Sequence, residues 1–255
     1  MNWLKLRFYF RIFLIFIVIP AGVFASIYAL DKNGFFNIEK IEMKMITQAD
    51  QKIFSKPYMD QLNTEMSGYK GQSLWRFSLS QISNKLKTKT WIKEFRVSRH
   101  WPSAIAIEIE PQTLSLLYSN DKQLAQGLVK PITTEGNILP EIETKQAPPL
   151  AMLKGDVFAK DETKRKKAIE LLKSLPEEGK FSHKLVSEIG YDPKEGYWVE
   201  VIQNNMKIKL GEDQFAVKSA RVSQVMDYLE KRDLKARVID ANLSKKVLVR
   251  LQQTP

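Results

Sequence analysis

The fold of this chain is decided by residues 91–111, which read WIKEFRVSRHWPSAIAIEIEP. Two runs of alternating apolar and polar residues flank a turn at Trp101-Pro102-Ser103. A period of two is typical of half-buried strands, because successive side chains of a strand point to opposite faces. The stretch therefore predicts a β-hairpin, and one of its faces carries three isoleucines: Ile105, Ile107 and Ile109.

Three more elements are predicted before the hairpin. Residues 36–45 end in clear alternation and predict a strand. Apolar residues recur at helical spacing over 51–66, where Pro57 indicates that the helix proper starts near it, and over 78–87, with Ser78 as a candidate N-cap. The order strand, helix, helix, strand, strand predicts a small α+β domain, in which two helices cover a three-stranded sheet.

The remaining sequence predicts a second domain that is mainly antiparallel β-sheet with two helices. The helices are expected over 160–175 and 214–231, where apolar residues form one stripe. Residues 142–149 have the composition of a loop, and Glu135-Gly136-Asn137 that of a turn. Short strands separated by turn signals are predicted at 114–118, 123–129, 185–191, 197–203, 206–210, 236–240 and 246–251.

An uncharged segment at 12–30 reads IFLIFIVIPAGVFASIYAL and predicts one transmembrane helix. At about 1.5 Å per residue, its length matches the roughly 30 Å thickness of a bilayer core. Basic residues precede the segment, which places the N-terminus in the cytoplasm and the bulk of the chain outside: Lys5, Arg7 and Arg11. The alternative is a signal peptide cleaved after Val23-Phe24-Ala25, although the apolar run continues to Leu30.

These patterns divide the chain into five parts. We expect a cytoplasmic tail, a transmembrane helix, an α+β domain, a β domain and a C-terminal tail, at 1–11, 12–30, 31–111, 112–251 and 252–255.

The composition argues against an enzyme. The chain has no cysteine and only two histidines, of which His100 lies in the hairpin turn and His183 precedes a strand. Neither has a motif that would supply a nucleophile and base, and no phosphate loop or metal-ligand spacing is present. We therefore predict no catalytic residue, cofactor, metal or small-molecule substrate. The net charge of +11 suits an anionic partner, but a membrane address disfavours nucleic acid.

Several local patterns resemble the FtsQ/DivIB family of bacterial cell division proteins. The family places a Trp-hydrophobic pair before one strand and an Arg-x-Trp-Pro turn before the next. The matching residues here, with the Glu-Pro pair that closes the unit, are Trp91, Arg99, Trp101, Pro102, Glu110 and Pro111. Weaker likenesses are Thr134-Glu135-Gly136, Leu153-Lys154-Gly155 and Ile239-Asp240. The resemblance identifies the first domain as POTRA-like and the second as the FtsQ-type β domain.

The resemblance implies a non-enzymatic, single-pass scaffold of the cytoplasmic (inner) membrane, largely periplasmic and localised to the division septum. Its implied partners are the coiled-coil division proteins FtsB and FtsL, which in the family pair with the last strand. Here the partner-binding residues would be Lys246, Val247, Leu248, Val249, Arg250 and Leu251. A terminal strand at a sheet edge has unpaired backbone groups that suit β-augmentation. Basic residues in it could equally protect the edge from aggregation.

A second function class is a POTRA-containing component of envelope transport or assembly, which would bind extended peptide strands by the same edge chemistry. Such proteins usually carry tandem POTRA domains before an outer-membrane barrel. The sequence has one POTRA-like unit, an apolar helical anchor and no alternating barrel segments, which favours the division protein.

Overall fold

The computed structural model describes residues 13–46, 52–202, 205–243 and 246–252. The chain separates into two compact units, the first of which includes Lys56–Pro111 and the N-terminal residues, and the second of which includes Gln112–Pro255.

The first unit begins with helix. A π-helical segment, Leu14–Val18, continues directly into helix α1, Ile19–Lys32. Most side chains of this region are exposed and apolar, as Phe16, Phe24 and Tyr28 illustrate. From Phe13 onward, across the described residues, none of the helices is both long and apolar enough to cross a membrane. Ile12 of the predicted span lies outside the described residues.

A three-stranded sheet forms the body of the first unit. Its strands are β1, β2 and β3, at Lys40–Met45, Ile92–His100 and Ala104–Pro111. β3 lies in the middle, parallel to β1 and antiparallel to β2. Helices α2, Lys52–Ser67, and α3, Leu79–Lys87, complete the predicted order of elements.

The predicted hairpin is confirmed. The three isoleucines of β3 are fully buried, as expected for the inner face of a half-buried strand. Trp91 is also buried, and its ring stacks on Tyr58 with ring centroids 5.4 Å apart.

Two predicted boundaries in this unit were wrong. β1 begins at Lys40 rather than at 36, because the preceding residues make other contacts: Phe36 lies in a turn, and Ile38 donates its backbone N–H to the carbonyl of Gln72. α2 begins at Lys52, so Pro57 lies inside the helix. Pro57 lies past the first turn of this helix, so it lacks the N–H that would bond one turn back and its ring crowds the carbonyl there.

A nine-stranded mixed sheet forms the second unit. Its strands β4 to β12 are Leu114–Tyr118, Leu128–Thr133, Ile142–Glu143, Met152–Lys154, Val186–Asp192, Gly196–Val201, Met206–Gly211, Ala236–Asp240 and Leu248–Leu251. They lie in the order β12-β11-β10-β9-β8-β7-β4-β5-β6. Five of the eight pairings are antiparallel and three are parallel.

Helices of this unit outnumber the two that the sequence predicts. The two long ones, α6 and α7, are close to prediction at Glu162–Ser174 and Phe215–Lys231. Two short ones, α4 and α5, were missed, at Asp121–Ala125 and Val157–Lys160. Buried aromatic residues fill the core beneath them: Tyr197, Phe158 and Phe181.

The strand predicted over 123–129 was wrong in its first half, where α4 lies. The Asn120 side chain accepts a hydrogen bond from the backbone N–H of Gln123 at 2.8 Å, and the Gln123 side chain accepts one from Asn120 N–H at 3.4 Å. This reciprocal capping box satisfies backbone donors at the helix start, and it directs the chain into a helical turn before β5.

Candidate functional site

The terminal strand lies at one end of the nine-stranded sheet. β12 pairs with β11 in an antiparallel register in which Val249 lies opposite Ile239, and β11 is its only hydrogen-bonded neighbour among the described strands. The strand covers four of the six predicted residues. Lys246 and Val247 precede it, and Val247 packs against the core instead.

Side chains of β12 divide between core and solvent. Val249 is half-buried and packs on the core. Leu248 and Leu251 are 53% and 49% exposed, and Arg250 is exposed as well. Two large apolar side chains next to an open strand edge give an incoming peptide both a backbone ladder and apolar contacts.

One hydrogen bond shows which backbone N–H and C=O groups of β12 point towards β11 and which point away from it. Gln252 donates its N–H to the carbonyl of Lys235 at 2.8 Å, which lies on the β11 side. Because backbone groups alternate between the two sides of a strand, Arg250 and Leu248 face β11 as well. The N–H and C=O groups of Val249 and Leu251 are therefore expected to face away from the sheet.

A shallow cavity near this edge was not predicted from the sequence. It has a volume of about 250 Å³ and lies between the end of α7 and the start of β11. Its apolar lining comes from both elements and from β10: Met206, Met226, Leu229, Leu234 and Ala236. No sequence signal marks it, because the cavity forms only where Met206 of β10 and Lys180 approach the segment between α7 and β11.

The predicted signature residues lie in the first unit and mostly have structural contacts. Arg99 donates to two backbone carbonyls, of Leu74 at 3.1 Å and Phe77 at 2.6 Å. It thereby fixes the loop before α3 to the hairpin. Glu110 pairs with Lys93 at 2.6 Å.

The other signature residues differ in burial. Pro111 is buried at the end of β3, and Trp91 is in the core. Trp101 and Pro102 form the hairpin turn with a cis peptide bond, and the Trp101 ring is 52% exposed. Of the six, Trp101 thus presents the largest aromatic surface to a ligand.

Charged groups in the second unit form a small cluster on one surface. Tyr191 donates its hydroxyl to Glu212 at 2.7 Å, and Lys164 lies 3.7 Å from the centre of the Tyr191 ring. The hydrogen bond from Tyr191, followed by the nearby Lys164 cation, holds the pKa of the Glu212 carboxyl below its ordinary value. The cluster joins α6 to β8 and to the end of β10.

Within the described ranges, no group of three or more His, Cys, Asp or Glu side chains could hold a metal ion. His100 is an exposed residue of β2, and Nδ1 of His183 lies 3.4 Å from the carbonyl oxygen of Pro176.

The two units define a class of protein in which a POTRA domain is joined to a larger mixed β-sheet domain. Family models match both. Residues 59–111 match the POTRA domain of FtsQ type, and residues 123–242 match the C-terminal domain of the cell division proteins FtsQ/DivIB. The chain belongs to the FtsQ/DivIB family. The second match ends at Asn242, before β12.

Two relatives are both called cell division protein FtsQ. The protein of Geobacter sp. (strain M21) is 25% identical over 191 residues, which cover 71% of this chain and 66% of the relative. The protein of Syntrophotalea carbinolica is 23% identical over 187 residues, which cover 71% and 64%. The match therefore spans just under two thirds of the length of each relative.

Proposed function

We propose that this chain is a non-enzymatic scaffold of the division machinery that binds FtsB- and FtsL-type partners through the outer edge of β12. Membership of the FtsQ/DivIB family supports the division role. The observation that carries the binding mode is the position of β12 at the end of the sheet, with Leu248 and Leu251 exposed beside it.

Strand addition is the binding mode that this edge suits best. Outward N–H and C=O groups at Val249 and Leu251 would pair with an extended partner segment, and the exposed leucines would contact its side chains. Arg250, which is exposed, adds a cation for an acidic partner residue. An unprotected edge of this kind would otherwise pair with other copies.

The proposed location is the cytoplasmic membrane at the septum, with the N-terminus in the cytoplasm and both folded units in the periplasm. Support comes from the uncharged sequence of residues 12–30 and from the exposed apolar side chains of its described part. The basic residues before it set the orientation.

The binding mode is tested by capture of the full chain, in detergent, on immobilised periplasmic segments of FtsB and FtsL. Leu251→Pro removes an outward donor without disturbing the ladder to β11, and its side chain is already exposed. Leu251→Ala keeps the donor and is the matched control. We expect the proline variant to lose capture and the alanine variant to retain most of it.

Unfolding curves and circular dichroism of both variants establish that each remains folded. Equal capture by the wild type and the folded proline variant would move the interface away from the β12 edge. Failure of the wild type to bind either segment would contradict the choice of partner. Selective capture of unrelated extended peptides would then favour an envelope assembly function.

A further inference from the structure

Four aromatic residues form a partly exposed cluster at one end of the first unit, and neither the fold nor the partner strand accounts for it. The ring centroids of Trp75 and Trp101 are 5.6 Å apart, and Phe36 lies 5.8 Å from Trp101 and 6.4 Å from Trp75. Phe35 contacts Phe36 edge to face at 5.1 Å. We call these four residues the aromatic patch.

Exposure of the aromatic patch is unusual for rings of this size. Phe35, Trp75 and Trp101 are 54%, 53% and 52% exposed, whereas Phe36 is half-buried beneath them. Large contiguous apolar surface on a folded domain marks an interaction site, since exposed rings cost free energy in water.

Backbone hydrogen bonds hold the three contributing segments together. Phe36 accepts from Leu74 N–H at 2.7 Å, and Ser103 accepts from Glu39 N–H at 2.8 Å. Arg99 clamps the loop that carries Trp75 through its bonds to Leu74 and Phe77. These hydrogen bonds therefore hold the three segments of the patch in a single surface.

The aromatic patch follows directly on α1. Phe35 donates its N–H to the carbonyl of Leu30 at 3.0 Å, within the turn that ends the helix. The Asp31 carboxylate, in the last turn of α1, accepts a hydrogen bond from the Ser73 hydroxyl and lies 2.9 Å from the Arg76 guanidinium. Ser73 and Arg76 flank Trp75 in the sequence. The patch thus lies at the end of a helix whose side chains, up to Leu30, are mostly apolar and exposed.

We infer that the aromatic patch lies in the headgroup layer of the bilayer and holds the POTRA domain against the membrane surface. The inference rests on the proposed membrane anchor. Tryptophan and other amphipathic rings favour the membrane–water interface, which extends about 5–7 Å beyond each side of the hydrocarbon. Phe35 and Phe36 follow Leu30 closely in the sequence, and Trp75 and Trp101 pack on Phe36, so the patch falls at that depth.

Charge near the patch suits an anionic lipid surface. Lys32 is exposed in the last turn of α1 and is attracted to anionic headgroups, whereas the charge of Arg76 is paired with Asp31. Glu39 is also exposed there and opposes this attraction in part. Apolar contact of the rings is accordingly the main contribution.

The absence of cysteine makes a direct test available, because one nitroxide label can be placed at a single introduced cysteine. His100→Cys puts the label on an exposed residue next to Trp101. Lys44→Cys, also exposed, is the matched control. His100 and Lys40 both lie opposite Ala104 in the sheet, so the control at Lys44 is about 13 Å farther along the strands.

The full chain is reconstituted in vesicles of phosphatidylethanolamine and phosphatidylglycerol, and collisions of each label with oxygen and with a water-soluble nickel chelate are measured. We expect the label at position 100 to lose nickel collisions and gain oxygen collisions, as in the interfacial layer. The label at position 44 should keep the nickel accessibility of an aqueous site.

Removing the rings should reverse the result. Trp75→Ser combined with Trp101→Ser should return the position-100 label to aqueous values, whereas Tyr228→Ser, an exposed aromatic residue of the second unit, should not. Both variants should still pellet with alkaline-washed vesicles and still be captured by FtsB and FtsL segments.

Each contrary outcome has a distinct meaning. A vesicle-bound chain with both labels aqueous would overturn the inference and leave the anchor intact, whereas a chain that washes off the vesicles would overturn the anchor as well. Shielding that grows with the protein-to-lipid ratio would indicate a second copy on the patch and would equally overturn the lipid assignment.

Discussion

Asp31 lies in the last turn of α1 with its carboxylate 2.9 Å from the guanidinium of Arg76. The Asp31 side chain is 6% exposed and that of Arg76 is 64% exposed, and Ser73 donates its hydroxyl to the same carboxylate. A carboxylate at a helix C-terminus is repelled by the negative end of the helix dipole. The contacts from Ser73 and Arg76 offset that repulsion and join the helix to the POTRA domain.

Removal of Arg76 should therefore loosen this junction. We expect Arg76→Ala to lower the free energy of unfolding by about 1–2 kcal/mol, since it leaves a buried carboxylate without its cation. Backbone amides of residues 30–37 should exchange hydrogen faster in the variant, which mass spectrometry in detergent would measure. Lys44→Ala, at an exposed site in the same unit, is the control, and equal exchange in both variants would contradict the expectation.

Trp91 and Trp101 come from one sequence motif but should differ in their contribution to stability. Trp91 is 3% exposed and stacked on Tyr58, whereas Trp101 is 52% exposed. We expect Trp91→Ala to cost about 3–5 kcal/mol through lost burial and an internal cavity. Trp101→Ala should cost less than about 1 kcal/mol in detergent, where no bilayer is present. Urea unfolding measures both, and similar losses would show that the motif is a single structural unit.

Acid should weaken the contact between α2 and the segment that follows α3. A hydrogen bond from Lys89, 2.7 Å from Glu65, together with the nearby Lys85, holds the pKa of the Glu65 carboxyl below its ordinary value of 4.5. Because the folded pKa is depressed, this contribution to stability is fully present above pH 4.5. It is lost as the pH falls through the lower folded pKa.

Glu65→Gln isolates this contribution. The variant should be less stable than the wild type by up to about 1 kcal/mol near neutral pH, because the pair is partly exposed. The difference should shrink as the pH falls below 4.5, and denaturant midpoints across the pH range would measure it. A difference that stays constant with pH would mean that the lost packing of the side chain, and not its charge, is responsible.

The capping box before α4 should determine whether that short helix forms. Asn120→Ala removes the acceptor for Gln123 N–H and should cost about 1 kcal/mol. Gln123→Ala removes the longer, 3.4 Å reciprocal bond and an exposed side-chain bond to Glu141, and it should cost less because neither bond is fully buried. Amide exchange at residues 121–127 measures the local effect, and an unchanged rate in Asn120→Ala would show that packing alone forms α4.

Local patterns explain which elements the sequence predicts correctly. The hairpin of β2 and β3 and the helix α7 follow from side-chain periodicity over many residues, and both were predicted to within one or two residues. α4 was missed because five residues hold too little periodicity, although the Asn120 and Gln123 pair was readable. The terminal strand was predicted to start two residues too early, because Val247 packs on the core and does not join the ladder.

The aromatic patch was not predictable, for a different reason. Phe36, Trp75 and Trp101 come from three segments whose approach depends on the pairing of β1 with β3 and on the bonds made by Arg99. Periodicity describes one element at a time and gives no sign that Trp75, which is 53% exposed, lies beside Trp101.

A buried cation holds one turn of the second unit in place. Arg165 of α6 is 8% exposed, and it donates to the carbonyl of Gly136 at 2.7 Å and to that of Phe158 at 2.8 Å. Gly136 has a φ of +89°, a conformation that favours glycine. The predicted turn after β5 is thus fixed to α6 by a guanidinium that reaches two acceptors at once.

Arg165→Met should cost about 2–4 kcal/mol, because it leaves two carbonyls without their donor in a buried site. Arg165→Lys keeps the charge but not the fork geometry, and it should recover less than half of the loss. Urea unfolding measures both variants, with Arg237→Met at an exposed site of β11 as the control. If Arg165→Lys restored full stability, a positive charge at this position would be enough to hold the turn. The paired hydrogen bonds to Gly136 and Phe158 would then not be required.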